Sequence, residues 1–139
     1  MKYLSEYMED RQTALFEKTG SFFAFSKKQF DEQKKKNVKY MSLGSGMICP
    51  ESTAEELVSG IETIAKESMA QDLAENGRKG VIHRELGNHE YCITHDIVDT
   101  SRALSGYGIT DEEIQAETRT YLKAYYEWEE KRNSKEVAT

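Results

Sequence analysis

The chain has 139 residues, of which 37% are hydrophobic and 32% charged, and its formal net charge is −6. A chain of this length can bury a core without disulfides or metals, and its apolar content excludes a compositionally disordered protein. No apolar run approaches the ~18 residues of a membrane span, and the N-terminus lacks the apolar segment of a secretion signal. Two cysteines are too few for a disulfide framework, so we expect a cytoplasmic protein with free thiols.

Charge is unevenly distributed along the chain. Residues 27–39 carry six lysines against two acidic residues, whereas the remainder is acidic. An acidic body repels the phosphate backbone, so direct nucleic-acid binding is not expected. The central lysines Lys34, Lys35 and Lys36 form either a solvated helix face or a local anion site.

The first 50 residues predict alternating helices and strands. A helical period over 4–17 is followed by the aromatic segment 21–26, which predicts a buried, central strand. A capping box indicates a helix over 27–36, and alternation over 38–43 predicts a second strand. The LGSG sequence over 43–46 is typical of a turn or bulge, because a phosphate-binding loop would need a helix directly after the glycines.

The rest of the chain predicts two long helices joined by a hairpin and a short helix. An apolar stripe with a 3.6-residue period predicts a helix over 53–73, with Asp72 on its solvent side. A short helix is expected over 97–104, and a capping box opens the last helix, 111–132. Residues 1–132 are thus predicted to form one domain, followed by a frayed tail over 133–139.

Aromatic and acidic side chains distinguish the last helix. Five of its uncharged residues recur at heptad-like spacing, namely Ile114, Thr118, Tyr121, Tyr125 and Trp128. Such a seam either packs on its own domain or presents a surface to a partner or to a second copy of the chain. The candidate partner-binding residues are Glu113, Glu117, Tyr121, Tyr125 and Trp128.

The segment 80–96, GVIHRELGNHEYCITHD, holds all three histidines and predicts a β-hairpin with its Gly-Asn pair as the turn. In that register His83 faces Cys92 and Glu85 faces Glu90 on the same side of the sheet, and the other two histidines lie on the opposite side. These four side chains, with the three central lysines, are the candidate ligand-binding residues.

The predicted hairpin leaves two kinds of chemistry open. A zinc site needs about four convergent nitrogen or sulfur ligands, and this register supplies two, so we predict neither a metal nor a cofactor. An imidazole beside a thiol lowers the pKa of the cysteine, which is the arrangement of a thiol enzyme, but the sequence reveals no oxyanion donors. No catalytic residue is therefore assigned.

The order of elements predicts an α+β fold. A small, mainly antiparallel sheet of about four strands cannot stand without cover, and helices on one face would supply it. A long C-terminal helix completes the predicted fold.

Three stretches, TALFEKTGSFFAFSKKQFDEQ, GVIHRELGNHEYCITHD and GYGITDEEI, resemble small uncharacterised proteins carried by phages and mobile elements. The resemblance extends over most of residues 1–120 and assigns no active site. It implies an anti-defence (anti-CRISPR-like) inhibitor, which would occlude a host protein or sequester a nucleotide signal.

These observations together predict a non-enzymatic interaction protein that inhibits a bacterial defence system in the host cytoplasm. It would bind its protein partner, or a second copy of itself, through the C-terminal helix. The alternative is a nucleotide-sequestering protein, or a metal or thiol enzyme with a pocket at 80–96.

Overall fold

The computed structural model describes residues 1–138, and about 74% of the chain is helical. Two compact units are distinguished: an N-terminal unit, Lys2–Ser68, and a C-terminal unit made of Met1 and the residues from Met69 onward. The elements in chain order are α1 (Leu4–Thr19), β1 (Phe22–Phe23), α2 (Lys27–Gln33), β2 (Tyr40–Ser42), β3 (Met47–Pro50), α3 (Ala54–Asn88), α4 (Tyr91–Thr94), α5 (Val98–Leu104) and α6 (Asp111–Ala138). No helix in the described part of the chain is long and apolar enough to cross a membrane.

The sheet of the N-terminal unit is antiparallel, with the strand order β1-β3-β2. Its central strand, β3, was not predicted, and the expected count of about four strands is wrong because the described residues form three. A turn joins β2 to β3, and its residues Gly44, Ser45 and Gly46 all have positive φ. The backbone amide of Met47 donates to the carbonyl of Gly44 at 3.0 Å, which confirms the predicted turn.

Strand β1 is a short edge strand, so the prediction of a buried, central strand over 21–26 is wrong. The chain leaves the sheet because Ser26 starts α2: its Oγ accepts a hydrogen bond from the backbone amide of Gln29 at 3.2 Å. Phe25, between the strand and this cap, is 74% exposed. The open edge of β1 is protected by α2, because Nε2 of Gln33 donates to the carbonyl of Phe23 at 2.9 Å.

The two phenylalanines of β1 point to opposite faces of the sheet, as strand geometry requires. Phe22 packs against Phe30 of α2 and edge-on against Tyr40 of β2, with ring centroids 6.2 and 5.5 Å away. Phe23 stacks on Phe16 of α1, with ring centroids 5.2 Å apart. One face of the sheet is therefore covered by α2 and the other by α1, so the expectation that helices cover one face is wrong.

Helix α3 extends well beyond the predicted range of 53–73 and contains a break at Gly77. The backbone of Gly77 has φ 72° and ψ 163°, a conformation that is almost restricted to glycine. The helical geometry is therefore lost at this glycine, but it resumes with Arg78 and continues to Asn88.

The predicted β-hairpin over 80–96 is wrong. Residues 78–88 are helical and Tyr91–Thr94 form α4, with Glu90 in the left-handed conformation between them. The buried side chains of this segment follow the helical period, and they are Val81, Ile82, Glu85 and Leu86. The Gly-Asn pair, which suggests a hairpin turn, instead ends α3, because the same residue types also terminate helices.

The remaining helices of the C-terminal unit agree with the sequence in type. Helix α5 confirms the short helix expected over 97–104. Thr110 caps α6 by accepting the backbone amide of Glu113 on Oγ1 at 3.2 Å. Helix α6 continues to Ala138 rather than ending at Arg132. Thr139, the end of the expected frayed tail 133–139, lies outside the described residues, and the fraying stays a prediction. The core of this unit includes Val81, Ile82, Leu86, Leu104, Ile109 and Ile114.

Candidate functional site

A buried ionic network lies at the centre of the C-terminal unit. The side chains of Asp72 and Arg84 are 0% and 5% exposed, and both belong to α3, on either side of its break. The guanidinium of Arg84 donates to both carboxylate oxygens of Asp72, at 2.8 and 2.9 Å. This bidentate geometry is the strongest form of the arginine–carboxylate pair.

Two further donors complete the environment of Asp72. The hydroxyl of Tyr107 donates to Oδ2 at 2.5 Å, and Nδ2 of Asn76 donates to Oδ1 at 2.8 Å. Burial alone would raise the pKa of Asp72, but these hydrogen bonds and the charge of Arg84 hold it below its ordinary value of 3.8. Each carboxylate oxygen thus accepts two hydrogen bonds, which leaves Asp72 no capacity to act as a base or a ligand.

Glu85 extends the network on the other side of Arg84. Nε of Arg84 donates to Oε1 of Glu85 at 3.0 Å, and Asn88 donates to Oε2 at 3.4 Å. Nε2 of His89 lies 3.3 Å from the same Oε2, which is an ion-pair distance, but its orientation forms no hydrogen bond within the described chain. The candidate ligand residue Glu85 is therefore a buried partner of Arg84, and the network holds α3 together.

A second polar cluster connects α3 and α4 to α6. Nε2 of His83 lies 2.8 Å from Oε2 of Glu117, and the His83 ring meets the Tyr121 ring edge-on at 5.9 Å. Cys92 of α4 is half-buried, and the interaction of its thiol with the next tyrosine on α6 is the main reason that the pKa of Tyr125 is raised. Predicted ligand and partner residues are thus in contact with one another.

The strand register that paired His83 with Cys92 and Glu85 with Glu90 is wrong, because these residues lie on helices or at a helix end. Within residues 1–138 no hydrogen bond joins His83 to Cys92, and Glu90 is exposed. The same described part contains no group of three or more potential metal-ligating side chains. A ligand site at these residues stays a prediction, as does the enzyme alternative.

The three candidate lysines are exposed in the N-terminal unit, at and just after the end of α2. Lys34 pairs with Asp31 at 3.0 Å and lies over the Phe30 ring at 5.7 Å. The backbone amide of Lys35 donates to the hydroxyl of Tyr40 at 3.0 Å. Lys36 is exposed as well. Their proposed role in anion binding is untested.

The last described side chains of α6 are mostly exposed. Ile114 and Thr118 are buried and Tyr121 and Tyr125 half-buried, but from residue 126 to 135 every side chain except that of Glu129 is exposed. These ten positions extend for about 15 Å at the helical rise of 1.5 Å per residue. Tyr126 and Trp128 are 50% and 52% exposed, and Arg132 lies over the Trp128 ring at 4.8 Å. We call residues 125–135 the α6 end.

Sequence reasoning missed Asp72, Arg84 and Tyr107. Asp72 was expected to face solvent, yet it lies on the buried side of α3, in helical register with Leu57, Ile64 and Ser68. That spacing was the available signal: a carboxylate on an apolar stripe requires a buried cationic partner. The partner could not be identified, because the break at Gly77 changes the helical phase before Arg84.

Fold and site together define a small α+β protein that has a buried ionic network around Asp72 and an exposed aromatic helix end. The chain belongs to a family of unknown function (DUF7659), which matches residues 4–130. Searches of curated proteins and of solved structures found no match. The family description assigns no activity, so the resemblance to phage-carried proteins stays a prediction.

Proposed function

We propose that this protein is a non-enzymatic interaction protein that binds its partner through the α6 end. The observation that carries the proposal is the half-exposed Trp128 in a helix segment, 126–135, in which every described side chain except that of Glu129 is exposed. Tryptophan and tyrosine are enriched at binding hot spots. A helix that packs only against its own domain is expected to end where that packing ends.

The exposed aromatic area is large enough to support binding. Trp128 and Tyr126 each expose about half of their surface. An aromatic side chain presents roughly 150–250 Å², so each would bury about 100 Å² on contact. At about 25 cal/mol per Å² that is roughly 2–3 kcal/mol per ring, before the entropic cost of association.

The resemblance to phage-carried proteins makes a bacterial defence protein the proposed partner, with occlusion of its surface as the mechanism. The acidic residues of α6 suit a basic partner surface, but not all of them are available. Glu113 accepts a bidentate hydrogen bond from Arg78, and Glu117 is held by His83. The acidic residues within the α6 end are Glu127, Glu129 and Glu130, and Glu112 lies at the start of the helix.

Site-specific photo-crosslinking in a defence-competent bacterial host tests this proposal. A photoreactive phenylalanine analogue would replace Trp128 in one variant and Ile93 in a matched control, because Ile93 is also an exposed hydrophobic residue of the C-terminal unit, 73% exposed. We expect one discrete crosslinked protein from position 128 and none from position 93. Equal crosslinking from both positions, or none from position 128, would contradict the proposal.

A second copy of the chain is the other candidate partner, and the order of charges along the α6 end favours it. Glu127, Glu129 and Glu130 precede Lys131, Arg132 and Lys135. Two such segments side by side in antiparallel orientation place the acidic half of one beside the basic half of the other, whereas parallel pairing opposes like charges.

Charge exchange tests self-association by sedimentation at several concentrations. We expect that Glu129→Lys/Glu130→Lys and Lys131→Glu/Arg132→Glu are each monomeric, and that an equimolar mixture of the two variants forms heterodimers. A wild-type chain that stays monomeric at high concentration would exclude the second copy and leave the defence protein as the partner.

A further inference from the structure

The N-terminal unit contains a groove of about 470 Å³ that is separate from the α6 end. One wall is a single face of α1, and the other is formed by Phe23 of β1 and Met47 of β3, with Ile61 of α3. The α1 residues recur at helical spacing, and they are Glu9, Gln12, Thr13, Phe16 and Glu17. This volume lies within the usual range of ligand pockets, about 300–1,000 Å³.

The apolar part of the groove is an aromatic surface that stays in contact with water. Phe23 is 46% exposed although it stacks on Phe16 at 5.2 Å. Its other neighbour, Phe25, lies parallel to it at 6.2 Å with an interplanar angle of 4° and is still more exposed. Leaving such rings in water is unfavourable. Exposed apolar surface of this kind is typical of binding grooves.

The charged part of the groove is entirely acidic. Glu9 and Glu17 line it, and among the described residues no lysine or arginine does so. In the described part of the chain neither carboxylate has an ion-pair partner. Lys18, the neighbour of Glu17, pairs instead with Glu56 at 2.9 Å. The negative charge at the groove is therefore not compensated locally.

We infer that this groove binds a basic segment of a protein that carries an apolar side chain between lysines or arginines. The apolar side chain contacts Phe16, Phe23 and Ile61, which removes their exposed faces from water. The flanking cations pair with Glu9 and Glu17 and approach the exposed phenylalanine rings. The complementarity of charge selects a basic segment over an acidic one, and the aromatic surface selects an apolar anchor over a polar one.

Peptide titrations monitored by the methyl resonances of Met47 and Ile61 test the inference. The probe is a nine-residue peptide, GKLKGLKSG, with two matched controls in which the lysines are replaced by glutamate or the leucines by serine. We expect the probe to shift both methyl resonances and to bind at least tenfold more tightly than either control. No shift with the probe, or equal binding of all three peptides, would overturn the inference.

Charge variants of α1 distinguish peptide binding in the groove from a general effect of the net charge of the protein. Because one exposed ion pair is worth up to about 1 kcal/mol, Glu17→Lys is expected to weaken the probe up to about fivefold. Asp10→Lys makes the same charge change on the same helix outside the groove and is expected to leave the affinity unchanged. Equal weakening by the two variants would overturn the inference. Because all of these residues are distinct from the α6 end, failure here leaves the proposed function intact.

Discussion

Substitution of Asp72 by asparagine is expected to destabilise the protein more than any exposed substitution. The change preserves the size of the side chain but removes the negative charge that pairs with Arg84, which is 5% exposed. Breaking one partner of a buried ion pair costs about 3–5 kcal/mol, because it leaves the other charge without compensation. Glu85 remains beside Arg84 at 3.0 Å, so we expect the lower end, about 3 kcal/mol. For a chain of this size that lowers Tm by roughly 10 °C.

Thermal and urea unfolding, followed by circular dichroism, measure this loss. Asp99→Asn is the matched control, because Asp99 is 69% exposed and lies 3.8 Å from its partner Arg102. The control is expected to change the free energy of unfolding by less than about 0.5 kcal/mol. If Asp72→Asn were no more destabilising than Asp99→Asn, the network would not stabilise the fold and our account of it would be refuted.

Three further predictions concern the same unit. Tyr107→Phe removes the hydrogen bond to the charged Asp72 and is expected to cost about 1.5–3 kcal/mol in urea unfolding; an unchanged midpoint would contradict this. Because the folded pKa of Asp72 is lowered, this residue contributes stability that is present above pH 3.8 and lost as the pH falls through the folded value. Asp72→Asn should therefore flatten the decrease in the free energy of unfolding below about pH 4. Parallel pH profiles for the wild type and the variant would argue against this. Gly77→Ala should lower the free energy of unfolding by about 1–3 kcal/mol, because the backbone of Gly77 has a φ of 72°. Gly80→Ala lies within helical backbone and should not destabilise the protein. Equal urea midpoints for the two variants would refute the strain at position 77.

The sequence predicted the helices with strong local signals but misassigned the segment around His83. Helix α5 and the cap of α6 at Thr110 follow from local periodicity and hydrogen bonding, and both are confirmed. The hairpin failed because a Gly-Asn pair between β-favouring residues is a turn signal and a helix-end signal alike. Tertiary burial of Val81, Ile82 and Leu86 decides in favour of the helix.

The candidate site was predictable only in part, because its contacts join residues far apart in sequence. The candidate partner residues Tyr125 and Trp128 followed from heptad-like spacing, but only the structure shows that the segment carrying Trp128 extends beyond the packed part of α6. The contact of His83 with Glu117 spans 34 residues, and the pattern on α3 alone gives no sign of it.

A ¹⁹F NMR measurement tests the central claim, binding through the α6 end, most directly. Trp128 is the sole tryptophan of the sequence, so labelling with 5-fluorotryptophan gives one resonance that reports on this surface. When the partner captured by crosslinking is added, our account predicts that this resonance shifts and broadens as the ring leaves water. A complex that forms at full occupancy while the resonance stays unchanged would contradict it.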